Sequence, residues 1–392
     1  MSGASGVFER VFPSDRLSKR ERVLRTVSCQ PVDRAVIHEQ LSYSTGVASH
    51  FAGRNFETFG YTPRDVGVAV RRSLDTCFPI FELKGTDTVR TQDGFVMRND
   101  NWTSWRVARP FDDEHGAALW LRGRIQAMAR SGFNEHTAVN VDGQQEHLAA
   151  REFSADRVRQ EYRAWFLALQ ELVGETVIID FSFTGLCDLF DAMGLEIFVF
   201  FAREHPQLLR EYMEVSITNE LRRVDAVADP ALSPLILIPE DIATKHGPIF
   251  PPAFLEACHF PYVQRLTEAW HCRGYKVIYH SDGNYNGIIP QLMRAGVDGF
   301  YCLEPACGMD IIRLKKHWPE MTWAGGLDGV DLMEKGSPER VAQEVRRQIR
   351  ETDALRTGGL FVATSSEINP TIPVENFLAM VAAVGECVNP EL

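Results

Sequence analysis

From about residue 155 onward the chain alternates between two textures. Short runs are apolar at nearly every position: Val177-Ile178-Ile179-Asp180-Phe181, Leu235 to Pro239, Lys276 to His280, Gly299 to Leu303, Met321 to Ala324 and Leu360 to Thr364. Between them lie longer stretches whose apolar residues recur at helical spacing, predicting helices over 155–173, 187–228, 251–272, 286–295, 309–317, 338–351 and 373–385. A strand that is apolar on both faces is buried on both, as in a parallel sheet covered by helices. Six consecutive β/α units, with a short β-like run at Ala35-Val36-Ile37-His38 upstream, predict an α/β fold of the (β/α)8 barrel type. An open doubly wound sheet fits that repetition less well. Nearer the start, RLSKRERVLRTVSC has helical spacing, with Ser14 or Asp15 as the expected cap. A hairpin-like excursion is expected around Phe78 to Leu83, Phe95 to Arg98 and Trp102 to Val107, followed by a helix over 113–131. The expected division is a helical and irregular N-terminal extension over 1–30, then one barrel domain over 31–392.

Polar residues fall on this pattern with a positional rule. At the C-terminal end of strand after strand, the apolar run stops at an acid, a histidine or a hydroxyl. LILIP leads to Glu240-Asp241, and KVIYH ends in His280 with Asp282-Gly283-Asn284 after it. GFYCL leads to Glu304-Pro305, MTWAGG to Asp328, and LFVAT to Ser365-Ser366-Glu367. In a parallel barrel these ends converge on one mouth, where barrel active sites lie. Taken singly, each has a plain structural reading. Asp282 or Asn284 can cap the next helix, Glu304 precedes a turn-forming proline, and His280 can bond a backbone carbonyl. Capping, however, requires only one residue per loop. Carboxylates crowded into one cavity raise each other's pKa unless a cation or another use compensates. Trp270, Trp318 and Trp323 occupy packing positions.

Charge and cysteine content narrow the classes. Lys+Arg 41 against Asp+Glu 53 leaves a net charge of −12, unsuited to phosphate backbones or anionic lipid surfaces. The apolar run around Ile197 to Ala202 is far shorter than the ~20 residues of a membrane span, and the N-terminal stretch lacks the apolar core of a secretory signal. Eight cysteines are scattered without a C-x-x-C pair and read as reduced thiols of a cytoplasmic protein. Nucleotide-binding and nucleophile-elbow motifs are absent. Gly325-Gly326 offers a place where a ligand can approach the backbone. His280-Ser281-Asp282 sets two donors at i, i+2 on one strand end; with Glu304 or Glu240 they make a nitrogen and oxygen set that zinc accepts. Cys302, two residues before Glu304, and Cys307 are lesser candidates.

The run HSDGNYNGIIPQLMRAGVDGFYCLEP, followed by GMDIIRLKK, AGGLD, SPERVAQEV and INPTIPVENFLAMV, resembles the uroporphyrinogen decarboxylase and corrinoid methyltransferase superfamily. Upstream, PEDIA with Pro251-Pro252-Ala253-Phe254 and Phe260-Pro261-Tyr262 is similar to its acidic pair and following helix, and CQPVDRAVIHEQ to the opening of its methyltransferase-like branch. The resemblance covers roughly residues 230–385 and implies a (β/α)8 barrel. The decarboxylases proper carry an arginine-rich R-Q-A-G-R segment, where this chain reads HEQLSYSTG. Without guanidinium forks a polycarboxylate substrate loses its counter-charges. The zinc methyltransferases that serve thiols carry His-x-Cys and a second cysteine, positions that here look like His280, Asp282 and Ser366.

The resemblance therefore implies a methyltransferase moving a methyl group between a small O- or N-methyl compound and a corrinoid or folate carrier, with demethylation of that compound as its direction of interest. His280, Asp282, Glu304 and Asp241 are the expected catalytic residues. Asp328, Ser366, Asn284 and Gly326 are expected at the substrate, and His280, Glu240 and Glu304 are the expected ligands if zinc is used. No corrinoid-binding module is recognisable, so a corrinoid is expected on a separate protein. A homodimer is implied by resemblance alone. Two other readings stay open: a decarboxylase whose acids protonate a carbanion, and a non-catalytic binding barrel.

Overall fold

The computed structural model describes residues 8–91, 93–134 and 152–392; the first residues of the Gly- and Ser-rich start lie outside that range. Among the described residues, eight parallel staves form the barrel: β1 (Val36–Ile37), β2 (Thr76–Cys77), β3 in two segments (Val177–Ile178 and Asp180–Phe181), β4 (Leu235–Pro239), β5 (Lys276–His280), β6 (Gly299–Leu303), β7 (Thr322–Leu327) and β8 (Leu360–Thr364). Neighbours pair in the order β1, β8, β7, β6, β5, β4, β3, and β2 pairs with the first segment of β3. The ring closes where His38 bridges Thr76 and the Asp75 amide donates to the Ile37 carbonyl at 3.0 Å.

The all-apolar runs are explained by this closure. Leu235 and Leu237 face the barrel interior with Val36, Val177, Ile179, Ile278 and Phe361. Their neighbours Ile236 and Ile238 face the outer shell under the helices. Period-2 side-chain alternation thus splits each strand between two cores. Strand β6 breaks the rule. Its register with β7 shifts between Phe300 and Leu303, and both Tyr301 and Cys302 join the interior cluster. Gly325 permits this close approach, because a Cβ there would meet the Leu303 nitrogen at 2.6 Å.

Three differences from the sequence reading have local causes. The helix Lys19–Val27 is capped by Ser18, which accepts from the Glu21 amide at 3.2 Å, rather than by Ser14 or Asp15. Asp15 is instead engaged by Arg34. Val23 and Val27 of that helix join the barrel interior, so it plugs the N-terminal end. The excursion is a three-stranded antiparallel sheet, Thr88–Arg90, Val96–Asp100 and Thr103–Ala108, and Phe78 sits just past β2 inside the barrel. The stretch 187–228 divides into Leu186–Met193, Leu195–Glu204 and Pro206–Val227, with Gly194 at positive φ separating the first two. Trp270 and Trp323 are fully buried, as packing positions require. No helix among the described residues is long and apolar enough to cross a membrane.

Candidate active site at the barrel mouth

His280 ends β5 and, by alternation from Ile278, faces inward. Its ring lies against Tyr301, with centroids 5.4 Å apart. Nδ1 is 3.4 Å from Asp241 Oδ1 and Nε2 is 3.8 Å from Asp282 Oδ1. Nδ1 has no closer partner, so the Asp241 contact is one of charge more than of hydrogen bonding. Asp241 also accepts from the Asp282 amide at 3.3 Å, tying the two loops together. From the next stave comes Cys302, so that His280, Asp282 and Cys302 each offer a donor atom within 4.8 Å of the others.

Glu304 braces this group from the side. One carboxylate oxygen accepts from the Gly283 amide at 2.6 Å and the other faces the Cys307 thiol at 3.3 Å. Gly283, at φ +77°, lets the loop press on the backbone of Ala243 and Thr244, where a Cβ would stand 2.7 Å from the Thr244 carbonyl. The charges work on one another. Burial disfavours the His280 cation, but Asp241, Asp282 and Glu304 outweigh it and raise the imidazole pKa. Burial likewise opposes ionisation of Asp241, yet His280 prevails and holds that carboxyl low. Asp282 goes the other way, raised by burial and then by its acidic neighbours despite His280.

The remaining expected residues are not drawn into this group. Glu240 is fully buried and turned toward the loop that follows β3, accepting from the Thr184 hydroxyl and amide and, at 3.1 Å, from the Cys187 amide. The oxygen donor beside His280 is therefore Asp282 rather than Glu240, and Glu304 is occupied with Gly283 and Cys307. Asp328 caps the turn that follows β7, accepting from the Val330 and Asp331 amides. Asn284 accepts from the Asn286 amide at 3.2 Å, and Ser366 donates to Glu367 at 2.9 Å. Gly326 gives room to Ile311 on the outer side, and its carbonyl accepts from Gln348 at 2.8 Å.

Other groups at the mouth escaped the sequence reading. His38 and Glu39 follow β1 as the acids follow the other strands, so the same positional rule applied to Ala35-Val36-Ile37 would have found them. Glu39 accepts from the Thr364 amide and hydroxyl at 2.6 and 3.0 Å. Burial pushes it up to about 8 against those hydrogen bonds. Tyr301 escaped for a different reason, which also left Cys302 only a lesser candidate in the sequence: a register shift cannot be read from one strand's pattern.

Burial also pushes Glu240 up to about 8, Asp188 adding to it and the Thr184 and Cys187 hydrogen bonds opposing. A carboxyl whose folded pKa exceeds its unfolded value binds its proton more tightly in the native state. Its contribution is complete below the ordinary value of 4.5 and is lost as pH rises toward the folded value. Thermal melting at pH 5.5 and 8.5 should show stability falling with pH. Glu240→Gln should remove on the order of 2 kcal/mol of that fall, Glu39 supplying a similar share. An equally steep decline in the variant would show that Glu240 is not the group.

The uroporphyrinogen decarboxylase family model matches residues 141–387, well over half of the chain. The chain belongs to the uroporphyrinogen decarboxylase family. That membership agrees with the closed barrel and with the strand-end residues now gathered at its mouth. A methyltransferase from Methanosarcina mazei has the same fold, with a TM-score of 0.62 at 16% identity, covering 94% of this chain and 98% of that one. No curated protein matches the chain. The candidate site is the group of β4, β5 and β6 strand-end residues around His280.

Proposed function

We propose that the chain is a metal-assisted methyltransferase, moving a methyl group between a small O- or N-methyl compound and a corrinoid or folate carrier on a separate protein. One observation carries this reading: a histidine nitrogen, a carboxylate oxygen and a cysteine sulfur lie within 4.8 Å of one another at the mouth. Such a mixed set fits zinc, whose ligand bonds of about 2.0–2.3 Å demand only a small closure of these side chains. It also restores the sulfur donor that the Asp282 position lacks, from the neighbouring strand. When bound, zinc would act as a Lewis acid that polarises the heteroatom bearing the methyl group. The protein's residues do the rest. Asp241 keeps His280 oriented, and Glu304 holds the Gly283 amide and with it the loop that presents Asp282. Transfer breaks the bond between the methyl carbon and its heteroatom, the electron pair staying on the heteroatom, while the carrier supplies the pair for the new bond.

Decarboxylation is the competing reading, favoured by Glu39, which is neutral near pH 7 and able to protonate a carbanion. Against it stands the charge of the mouth. Among the described residues, no arginine or lysine forms an ion pair with Asp241, Asp282, Glu304, Glu39 or Glu367, and a carboxylate substrate would meet repulsion. Elemental analysis of the purified protein, combined with assays for methylation of reduced cobalamin and for CO₂ release, separates the two. About one zinc per chain with cobalamin methylation is expected; a protein that takes up no zinc and releases CO₂ would overturn the proposal.

A further inference from the structure

A wall of aromatic rings leads from the candidate centre to the rim. Tyr301, against His280, lies 5.5 Å from Phe78; Phe78 lies 5.1 Å from Phe181. Phe181 stacks on Phe81 at 6.0 Å, and Phe81 on Tyr43 at 6.5 Å. The wall is graded in exposure. Tyr301 and Phe78 are buried, Phe181 and Tyr43 are partly exposed, and Phe81 is 38% exposed. Phe78, Phe81, Phe181 and Tyr43 stand at or beyond the C-terminal strand ends, while Tyr301 lies within β6 at the level of His280. Contiguous rings left facing water at a cavity mouth are the mark of a binding surface.

Two further observations concern polarity. The groups beside this wall are hydrogen-bond acceptors or anions: Asp241 and Asp282 at the inner end, and Glu367 whose charge reaches both Tyr301 and Tyr43. Among the described residues, Asp241, Asp282, Glu304, Glu39 and Glu367 have no arginine or lysine ion-paired to them. Beneath the wall lies His38, 1% exposed and in edge contact with Phe78 and Tyr301. Its Nδ1 is taken by Thr76 Oγ1 at 2.9 Å, while its Nε2 has no hydrogen-bond partner among the described residues.

Aromatic faces are negative at the centre of the ring, so stacked rings flanked by carboxylates favour a positive charge too large and too weakly hydrated for a single ion pair. A neutral methyl ether would gain only from the rings, and an anion would be repelled.

We propose that the methyl donor is an N-methylated ammonium cation, seated against Phe181, Phe81 and Tyr43 with one methyl group directed at the His280 centre. This rests on the methyl-transfer reading and names its substrate class. A quaternary nitrogen has no lone pair for a Lewis acid and is a leaving group through its own positive charge, so with this donor a metal would serve only to hold His280, Asp282 and Cys302 in place. The C–N bond breaks with its electron pair remaining on nitrogen, and a neutral tertiary amine leaves. The methyl carbon bonds to a reduced corrinoid, which supplies the electron pair. The positive charge leaves the acidic mouth in the same step, which favours release of the product.

Calorimetric titration of the full chain with tetramethylammonium chloride and, separately, with methoxybenzene tests the assignment. Tetramethylammonium should bind more tightly than methoxybenzene and lose affinity with added salt. Phe181→Leu should weaken it about tenfold, and Glu367→Gln severalfold, each with an unchanged melting temperature; Tyr43→Ala at the exposed rim serves if Phe181→Leu fails to fold. Methoxybenzene binding at least as tightly, or tetramethylammonium affinity indifferent to these substitutions, would overturn the proposal. Methyl transfer to reduced cobalamin from methoxybenzene and not from tetramethylammonium sinks the cation assignment and leaves methyl transfer standing. Tight tetramethylammonium binding with no transfer from any donor keeps the cation site and removes the methyl-transfer reading beneath it.

Discussion

On the proposed metal-assisted reading, replacing His280 by alanine is expected to abolish zinc binding and to lower methyl transfer by at least about a hundredfold, with the melting temperature little changed. The side chain is 19% exposed at the barrel mouth and carries no packing duty that alanine would leave as a large void. Cys302→Ser should act in the same direction through the metal, because an alcohol is a far poorer zinc ligand than a thiolate. Burial and the neighbouring carboxylates Asp282 and Glu304 raise the Cys302 pKa well above that of an ordinary thiol. Metal binding must therefore displace a proton, and zinc uptake should strengthen as pH rises. Asp241→Asn, which touches His280 without entering the donor group, should cost about ten- to a hundredfold. Zinc content and turnover measured on the same preparations check all three. Full activity in His280→Ala would dissolve the proposed centre.

The largest loss of stability is expected far from this mouth, at Asp75→Asn. Asp75 sits just before β2 and receives Arg22 Nη1 at 2.8 Å, Arg34 Nη1 at 2.6 Å and the Ile37 amide at 2.9 Å. Arg22 also holds Asp33 and Arg34 also holds Asp15, all with side chains at most 4% exposed. Lys19, buried beside them, donates to the Arg71 carbonyl and to Thr176 at 2.8 Å. Three buried cations thus face three carboxylates. Burial opposes the Asp75 charge, but the two arginines prevail and hold its carboxyl well below the usual range. Neutralising it leaves cations in a dry site with too few partners, which costs about 3–5 kcal/mol. The network joins the plug helix Lys19–Val27 to β1 and β2, so the whole N-terminal end of the barrel should loosen together. Thermal melting followed by circular dichroism reads this directly. A melting temperature within a degree or two of the wild type would show that the network holds nothing.

Much of the fold was legible because parallel strands buried on both faces leave an unbroken apolar run, and LILIP, KVIYH, GFYCL and LFVAT are such runs. Of the two-residue staves, β1 left only the short run Ala35-Val36-Ile37-His38, and β2 is too short to leave one. The site was legible to the same depth. His280, Asp241 and Asp282 follow from the strand-end rule, which holds because every C-terminal strand end of a closed barrel opens on one mouth. Glu240 obeys the same rule and yet turns away, because a carboxylate on a flexible side chain goes to the nearest unpaired amides, here those of Thr184 and Cys187.

The order of strands, the convergence of their ends and the acidity of the mouth were thus determined along the chain, since each depends on local pattern and residue type. Which donor completes the group at His280 was decided only by the tertiary structure. Cys302 reaches the interior through a shift in register between two strands, an interaction between backbones that neither strand's own side chains encode. The aromatic wall is of the same kind. Its rings come from four different staves or the loops that follow them, and only closure of the barrel brings them face to face.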